Sequence, residues 1–170
     1  RGLVHLLDPG DVLDIASGDG VLAELLAPTA RSIVCLDISE RVVAAGRRRL
    51  ETFVNVSFEL GDMHSLPVPD SSFDTVLLMH ALTYTNEPKQ VFGEISRVLR
   101  PGGKLLAVTL QEHQHAKAVE PYNHVNLGFT TDQLQTFCAG AGLQVRTCAV
   151  SAIEKRTPNF SVLSLSAVKP

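Results

Sequence analysis

The residues best suited to chemistry stand at positions 12–20, where an apolar run meets an acidic residue and a glycine-bearing loop, Val-Leu-Asp-Ile-Ala-Ser-Gly-Asp-Gly. A strand that passes through such a loop into a helix presents backbone N–H groups that can receive an anionic group. The glycines let a ligand approach the main chain closely. In open α/β sheets the ligand lies beside this loop, outside the carboxyl ends of the strands. The segment therefore predicts a ligand site with candidate contacts at Asp14, Ala16, Ser17, Gly18 and Gly20.

Two classes of ligand are compatible with the spacing of this loop. Residues 18–23 match the G-x-G-x-x-A fingerprint of dinucleotide-binding folds, and Asp37 follows seventeen residues after the second glycine. A pyrophosphate would then lie beside Asp14 and Asp19, and like charges in a partly desolvated site are costly. The same carboxylates attract the ammonium and sulfonium groups of S-adenosylmethionine (SAM), whose single carboxylate the loop N–H groups can still receive. The charges therefore favour SAM over NAD, although each acid by itself also fits a turn or cap residue.

Two more acidic residues follow predicted strands. Asp37 ends the second strand and can accept hydrogen bonds from ribose hydroxyls, as acids at this position do in nucleoside-binding α/β folds. Ile38 comes next in the same contact segment. Asp62 follows the third strand and can accept a hydrogen bond from an adenine amino group, with Met63 against the ring. A lone acid is more often a loop or cap residue, but together with Asp14 these acids end three successive strands, which favours a nucleoside site.

The elements that must position these residues follow from hydrophobic patterning. Short, β-branched apolar runs alternate with amphipathic stretches, which is typical of a mainly parallel sheet covered by helices. A capping box at the last helix and a tight turn at 100–103 are expected, and a polar segment at 111–129 holds three of the six histidines. Strands are predicted at 12–15, 32–36, 54–60, 73–79, 104–110, 143–150 and 160–168, and helices at 21–26, 40–53, 86–99 and 130–141.

Four segments together resemble the successive motifs of class I SAM-dependent methyltransferases of type 11, the UbiE-like group. They read VLDIASGDG, CLDIS, GDMHSLPVPDSSFDTV and SRVLRPGGKLLAV and cover residues 12–110. The resemblance implies an α/β fold with a Rossmann-like, seven-stranded, mostly parallel sheet, an antiparallel last strand and helices on both faces. It also implies SAM as cofactor and S-adenosylhomocysteine (SAH) as product. One departure is Ala16, where the family usually has its first glycine.

The same resemblance implies roles for individual residues. Asp14 would lie near the methionine end of the cofactor, Asp37 on the ribose and Asp62 by the adenine. The backbone at Met79 and His80 would contact the amino group of the cofactor. The family implies an enzyme that transfers a methyl group to a small-molecule acceptor by direct SN2 reaction. Such a reaction mainly requires that the acceptor be held in line.

Candidate acceptor-binding residues follow the fourth and fifth predicted strands. Tyr84 and the stretches 111–115 and 122–124 supply titratable and hydrogen-bonding groups. We expect His124 to act as a base or an acceptor-binding group, a base being needed only if the acceptor must lose a proton. An ordinary polar surface loop is the alternative interpretation. The pair of histidines at 113 and 115 lacks the i, i+4 spacing of helical zinc motifs, and no metal site is expected.

A non-enzymatic role is also open from the sequence. Residues 123–129 and the capped helix after them also resemble the methyltransferase domains attached to ArsR-type regulators. On that hypothesis the domain senses SAM or SAH without turnover. Because the first strand begins almost at residue 1, we expect a single SAM-binding domain at 1–170 whose N-terminal lid helices are missing, or are supplied by a fused or separate N-terminal segment.

Composition and charge exclude several classes of protein. The net charge is −3, so the positive footprint of a duplex-binding protein is missing, and Arg47–Arg49 predict a solvated helix face. No apolar run approaches the ~20 residues that span a bilayer, and the run at 2–7 is too short for a signal peptide. Cys35, Cys138 and Cys148 lie in apolar stretches, as buried thiols do. The arsenic-methylating branch of the family that the chain resembles uses cysteine thiolates, so this placement disfavours an arsenic substrate. We therefore expect a cytoplasmic protein that binds neither nucleic acid nor membrane.

Overall fold

The computed structural model describes residues 8–170, so the apolar run at 2–7 lies outside the described residues. Its strands are β1 (Asp11–Ile15), β2 (Ser32–Asp37), β3 (Val56–Leu60), β4 (Phe73–Met79), β5 (Leu99–Leu110), β6 (Gln144–Ile153) and β7 (Ser161–Val168). Its helices are α1 (Val21–Leu26), α2 (Glu40–Arg49), α3 (Pro88–Val98), α4 (Ala116–Val119) and α5 (Thr131–Gly140). Across the described residues, no helix combines the length and the apolar character needed to cross a membrane.

The strands form one seven-stranded sheet in the order β3-β2-β1-β4-β5-β7-β6. Neighbours from β3 to β5 are parallel, whereas β7 is antiparallel to both β5 and β6. This confirms the predicted mostly parallel sheet with an antiparallel last strand. The strand order reverses between β1 and β4, and in such sheets ligands bind at this switch point, outside the carboxyl ends of the strands.

Helices cover both faces of the sheet, and each face has its own hydrophobic core. Leu13 and Ile15 point to the face on which α3 and α5 pack. Val12 points to the opposite face, where it meets apolar side chains of α1 and α2. Because side chains alternate along a strand, Asp14 lies on the same face as Val12. The acid of the first motif is therefore placed beneath α1 and α2.

One predicted turn is part of a strand. Residues 100–103 were expected to form a tight turn, but they belong to the start of β5. The N–H of Gly102 donates to the carbonyl of Lys169 at 2.8 Å, and the N–H of Lys169 donates to the carbonyl of Gly103 at 2.9 Å. The ladder with β7 thus extends through the glycines, and an irregular register between Phe73 and Thr75 of β4 absorbs the extra residues.

Two helical segments also differ from their predicted extent. The second helix was expected to reach residue 53, but α2 ends at Arg49, since the backbone of the buried Leu50 leaves the helical region with φ of −108° and ψ of 21°. The polar segment 111–129 is not all loop, since it contains α4 and a 3-10 turn at Glu120–Tyr122. The capping box of α5 is confirmed, with both reciprocal bonds present between Thr130 and Gln133.

Ion pairs join the strand starts at the edge opposite the switch point. Asp11, at the start of β1, pairs with Arg31 at 2.7 Å and with Arg100 at 2.9 Å. Asp74, near the start of β4, pairs with the same two arginines at 3.3 and 2.8 Å. Hydrogen bonds from Ser32 and then Arg100 hold the pKa of Asp11 below its usual value. This cluster ties β1, β2 and β4 together away from the candidate site.

Candidate functional site

Two adjoining cavities open at the carboxyl ends of the strands. The first has a volume of about 320 Å³ and is walled by the ends of β1, β2 and β3. The second has a volume of about 560 Å³ and is walled by the end of β4, the polar segment and the β6–β7 hairpin. Both are lined by Ala16, Ala81 and Tyr84. The two cavities therefore form one continuous cleft.

The loop after β1 contains three residues in the left-handed region, Ala16, Gly18 and Gly20, with φ of 55°, 59° and 83°. A β-carbon at Gly18 would meet nothing within 4 Å, so its backbone faces open space. A β-carbon at Gly20 would lie 2.8 Å from Leu50 and Phe58. Gly18 thus leaves room for a ligand, whereas Gly20 is required by packing. Ala16 adopts a conformation that costs an L-residue about 1 kcal/mol and glycine nothing, which accounts for the glycine expected at this position.

Asp37 lies beside this loop, as its place at the end of β2 predicts. Its Oδ2 accepts a hydrogen bond from the N–H of Gly18 at 3.1 Å, and its Oδ1 accepts one from the N–H of Ser39 at 2.9 Å. Each carboxylate oxygen keeps a second lone pair for a molecule in the first cavity. The neighbouring Ile38 is 73% exposed and gives that cavity an apolar wall. This corner can bind hydroxyl groups beside a flat ring.

The end of β3 carries a contact that sequence reasoning missed. Asp62 and Met63 line the first cavity, and His64 lines it as well. Nδ1 of His64 lies 2.6 Å from Oδ1 of Asp62, and its Nε2 lies 2.6 Å from Oγ1 of Thr85. Hydrogen bonds from the backbone and then the ring of His64 hold the pKa of Asp62 below its usual value. The Asp-x-His spacing is the one signal in the sequence that could have indicated this pair.

The loop that carries Asp62 is anchored from α3 by Arg97. The guanidinium donates to the carbonyls of Leu66 and Val68, both at 2.9 Å, and to the carboxylate of Glu94 at 2.7 and 2.8 Å. Glu94 in turn accepts the N–H of Leu66 at 2.7 Å. These bonds fix the path of the loop between β3 and β4. Arg97 stands in a quoted sequence motif, but the motif alone gave it no role.

The two acids of the first loop lie differently from expectation. Asp19 was expected beside the ligand, but its carboxylate pairs with Arg49 at 3.0 Å and lines neither cavity. Asp14 is only 2% exposed, and burial raises its pKa to about 7. The negative charge on the wall of the first cavity therefore comes from Asp37 and Asp62.

The basic run on α2 lies on an exposed face, as the sequence predicts, and two of its arginines also make contacts there. The guanidinium of Arg47 donates to the carbonyl of Phe58 at 2.6 and 3.2 Å. Arg49 pairs with Glu24 as well as with Asp19. These contacts join α2 to β3, α1 and the first loop.

Five of the residues that line the second cavity carry aromatic or imidazole rings: His80, Tyr84, Tyr122, His124 and Phe160. The rings of Tyr84 and His124 meet edge to face, with centroids 5.2 Å apart. Nδ1 of His124 is buried and has no hydrogen-bond partner within residues 8–170. Burial, and then the charge of His80, lowers the pKa of His124. The imidazole of His124 therefore lines this cavity with a pKa below its usual value, whereas Nδ1 itself is enclosed by protein atoms.

The remaining histidines of the polar segment lie next to the second cavity but do not line it. The ring of His113 lies 4.5 Å from that of Phe160 and 5.9 Å from that of His115. Burial, and then the charges of His115 and His124, lowers the pKa of His113. In the part of the chain that the structure describes, no group of three or more His, Cys, Asp or Glu side chains is placed to hold a metal ion.

The predicted site residues divide into two groups. Those that line the cleft are Ala16, Asp37, Ile38, Asp62, Met63, Met79, His80 and His124. Those that do not are Asp14, Ser17, Gly18 and Gly20.

Beneath the first loop lies a buried thiol, Cys35, on β2. Asp14 pairs in register with Cys35 on the neighbouring strand. Burial, and then the charge of Asp14, raises the pKa of Cys35 to about 12. Cys138 is also buried and Cys148 half-buried, so the expectation of buried thiols is confirmed for the first two.

Comparison with known proteins gives one family. The family model described as a methyltransferase domain matches residues 13–107. The chain is 40% identical over 99 residues to demethylmenaquinone methyltransferase of Renibacterium salmoninarum, which covers 58% of this chain and 40% of that protein. It is 34% identical over 125 residues to ubiquinone/menaquinone biosynthesis C-methyltransferase UbiE of Pseudomonas fluorescens, which covers 69% of this chain and 48% of that protein. The chain thus spans less than half the length of either relative.

The fold is shared with a solved structure of low sequence identity. Geranyl diphosphate C-methyltransferase from Streptomyces coelicolor, in complex with Mg²⁺, geranyl diphosphate and SAH, matches 98% of this chain and 74% of that chain. The TM-score is 0.83 and the sequence identity 16%. At this identity the likeness shows the fold alone.

Proposed function

This chain belongs to the class I SAM-dependent methyltransferases, and from that premise we propose that it transfers a methyl group to a small, planar acceptor in the second cavity. The observation that carries the proposal is the continuity of the cleft, whose two parts share Ala16, Ala81 and Tyr84. A nucleoside-type ligand in the first cavity and an acceptor in the second would adjoin at this common wall.

The first cavity has the chemistry that the family's cofactor, SAM, requires. Asp37 and Asp62 offer acceptors for ribose hydroxyls and for an adenine amino group, and Ile38 and Met63 offer apolar walls for the ring. Gly18 leaves open space beside Asp37. Within residues 8–170, no Lys or Arg lines this cavity, which disfavours a diphosphate ligand. The residues present therefore fit SAM better than NAD.

When bound, SAM supplies an electrophilic methyl group, so the chain's own task is to orient the acceptor and exclude water. Two hydrogen bonds hold the backbone of the wall at the end of β4. The N–H of His80 donates to the carbonyl of Val108 at 2.7 Å, and the carbonyl of His80 accepts from the hydroxyl of Thr83 at 3.1 Å. Tyr84 follows this wall and faces both cavities.

A planar ring that bears a hydroxyl group suits the second cavity. Tyr84, Tyr122 and Phe160 present flat surfaces on which such a ring can pack. The imidazole of His124, whose pKa lies below its usual value, lines this cavity and can accept the proton of the hydroxyl. The two curated relatives are named for menaquinone and ubiquinone methylation, and their ring chemistry supports the same acceptor class.

Ligand binding and turnover test this function in order. We expect calorimetry to detect binding of SAM and SAH but not of NAD or NADP. A ligand at 100 times its Kd should raise the free energy of unfolding by about 2.7 kcal/mol. The absence of heat with both SAM and SAH would contradict the proposal.

Turnover is then measured as SAH formation with a panel of phenols and hydroquinones. The variant His124→Gln should lower the transfer rate about 100-fold and leave the SAH Kd within about twofold, because His124 lines only the second cavity. Strong cofactor binding without transfer to any member of the panel would favour the sensor hypothesis.

The buried Asp14 predicts a pH dependence whose sign follows from its raised pKa. The folded protein holds the Asp14 proton up to a pKa of about 7, against the usual 3.8, so the free energy of unfolding without ligand falls as pH rises between these values. This fall in the free energy of unfolding is expected to level off above pH 7, where the folded protein also loses the Asp14 proton.

Denaturant unfolding of the protein without ligand, at several values between about pH 5 and 8, measures this dependence. The variant Asp14→Asn should remove the pH dependence, and the matched variant Asp19→Asn, whose carboxylate pairs with Arg49 outside the cleft, should retain it. An equal fall of the free energy of unfolding with pH in Asp14→Asn and in the unsubstituted protein would show that Asp14 is not the group that titrates.

A further inference from the structure

The imidazole of His64 belongs to a hydrogen-bond chain whose direction can be assigned. The carboxylate of Asp62 only accepts, so Nδ1 of His64 carries the proton of their 2.6 Å bond. In a neutral ring Nε2 then accepts, and the hydroxyl of Thr85 donates to it at 2.6 Å. Oγ1 of Thr85 in turn accepts the N–H of Glu87 at 2.9 Å. Every donor finds an acceptor, and Thr85 is 2% exposed, so water competes little with these bonds.

The hydrogen bonds between Asp62, His64 and Thr85 leave one oxygen of Asp62 for a ligand. Oδ1 accepts both the ring N–H of His64 and its backbone N–H, at 2.6 and 2.9 Å. Within the described residues Oδ2 accepts no hydrogen bond, and Asp62 lines the first cavity. His64 therefore fixes the rotation of the carboxylate and determines which oxygen is offered to a bound molecule.

At its Thr85 end, this series of hydrogen bonds reaches the second cavity. Thr85 directly follows the 3-10 turn Leu82–Tyr84, whose last residue lines both cavities. The side-chain amide of Asn126 donates to the carbonyls of Leu82 and Thr85, both at 2.9 Å, and the N–H of Val125 donates to the carbonyl of Thr83 at 2.9 Å. The turn is thus tied to the segment that carries His124.

We propose that His64 is a positioning residue that sets the selectivity of the first cavity for a 6-amino purine and transmits occupancy of that cavity, through Thr85, to the rings of the second cavity. This inference rests on the proposed function, because it takes Asp62 as the acceptor for the adenine amino group. It adds two residues, His64 and Thr85, that determine specificity and connect the two halves of the cleft.

Base selectivity is tested with adenosine and with purine riboside, which lacks the 6-amino group. A hydrogen bond to a fixed carboxylate contributes roughly 1.5–3 kcal/mol, so adenosine should bind the unsubstituted protein at least about tenfold more tightly. In His64→Leu the ratio of the two Kd values should fall below about threefold, because Asp62 is no longer held. Thr85→Val should lower the ratio in part, and Thr85→Ser, which keeps the hydroxyl, should restore it.

The effect of a ligand in the first cavity on the second cavity is tested by tyrosine fluorescence emission, since the sequence has two tyrosines and no tryptophan. In a Tyr84→Phe background the remaining fluorophore is Tyr122, which lines the second cavity and not the first. Adenosine should change its emission, and the added substitution Thr85→Val should remove most of that change at saturating adenosine. Thr85→Ser should again restore it.

The outcomes separate the inference from the function on which it rests. Thermal unfolding of each variant first establishes that it folds. An unchanged Kd ratio in folded His64→Leu, or an unchanged emission response in Thr85→Val, overturns the inference while SAM binding and turnover leave the proposed function in place. If the unsubstituted protein binds neither SAM, SAH nor adenosine, the proposed function fails, and this inference fails with it.

Discussion

Replacing Asp37 by alanine is expected to raise the Kd for SAM at least about 100-fold and to remove the thermal stabilisation that SAM confers. The side chain ties the N–H of Gly18 to that of Ser39, and in the proposed complex it also accepts from the ribose hydroxyls. Each hydrogen bond to a charged group contributes about 1.5–3 kcal/mol. The loss of two hydrogen bonds to the ligand therefore accounts by itself for an increase of the Kd by about 100-fold. Isothermal titration calorimetry with SAM and SAH measures the change.

Two matched variants isolate the role of Asp37. Asp37→Asn keeps the shape but turns an amide NH₂ toward one of the two backbone donors, so it should also bind SAM poorly. Asp19→Ala removes a nearby acid of the same loop that pairs with Arg49 at the surface, and SAM affinity should stay within about twofold. A full thermal shift in folded Asp37→Ala would make Asp37 a residue of loop structure only.

Replacing Arg97 by methionine is expected to lower the free energy of unfolding by about 2–3 kcal/mol. The side chain of Arg97 is 29% exposed and that of its partner Glu94 is 19% exposed, so the substitution leaves a largely buried carboxylate without its cation. The carbonyls of Leu66 and Val68 lose their donor as well. For a chain of this size the midpoint of thermal unfolding should fall by roughly 5–10 °C.

The same variant should weaken SAM binding by about fivefold, because the loosened loop carries Asp62. Arg31→Met is the matched control, since it breaks an ion-pair cluster at the other edge of the sheet with a side chain that is 64% exposed. Arg31→Met should lower the free energy of unfolding by less than about 1 kcal/mol and leave the Kd for SAM unchanged. Equal losses of stability in the two variants would contradict the anchoring role of Arg97.

Much of the first cavity could be predicted because strand ends are easy to locate in the sequence. A buried apolar run that stops at an acid marks the carboxyl end of a parallel strand, and such ends meet at one edge of the sheet. Asp37 and Asp62 therefore came together as expected. The capping box at Thr130 set the start of α5 for a similar reason, since all of its bonds are local.

The misplaced and missed residues depend on contacts between distant parts of the chain. The pairing of Asp19 with Arg49 spans thirty positions and follows from how α2 packs, which no local pattern contains. The burial of Asp14 depends on α1 and α2 together covering its face of the sheet. Thr85 reaches His64 only because the turn after β4 folds over the loop after β3. The pattern of strands thus predicts where the carboxylates lie along the sheet. Tertiary packing decides which of them remain charged and unpaired, and so able to bind a ligand.

The environment of Cys35 bears on a hazard that any alkylating chemistry brings. A thiolate is the strongest nucleophile among protein side chains at neutral pH and would compete for an electrophilic carbon held nearby. Burial, and then the charge of Asp14, raise the pKa of Cys35 to about 12, so at pH 7 this fully buried sulfur stays in the thiol form, which is a poor nucleophile.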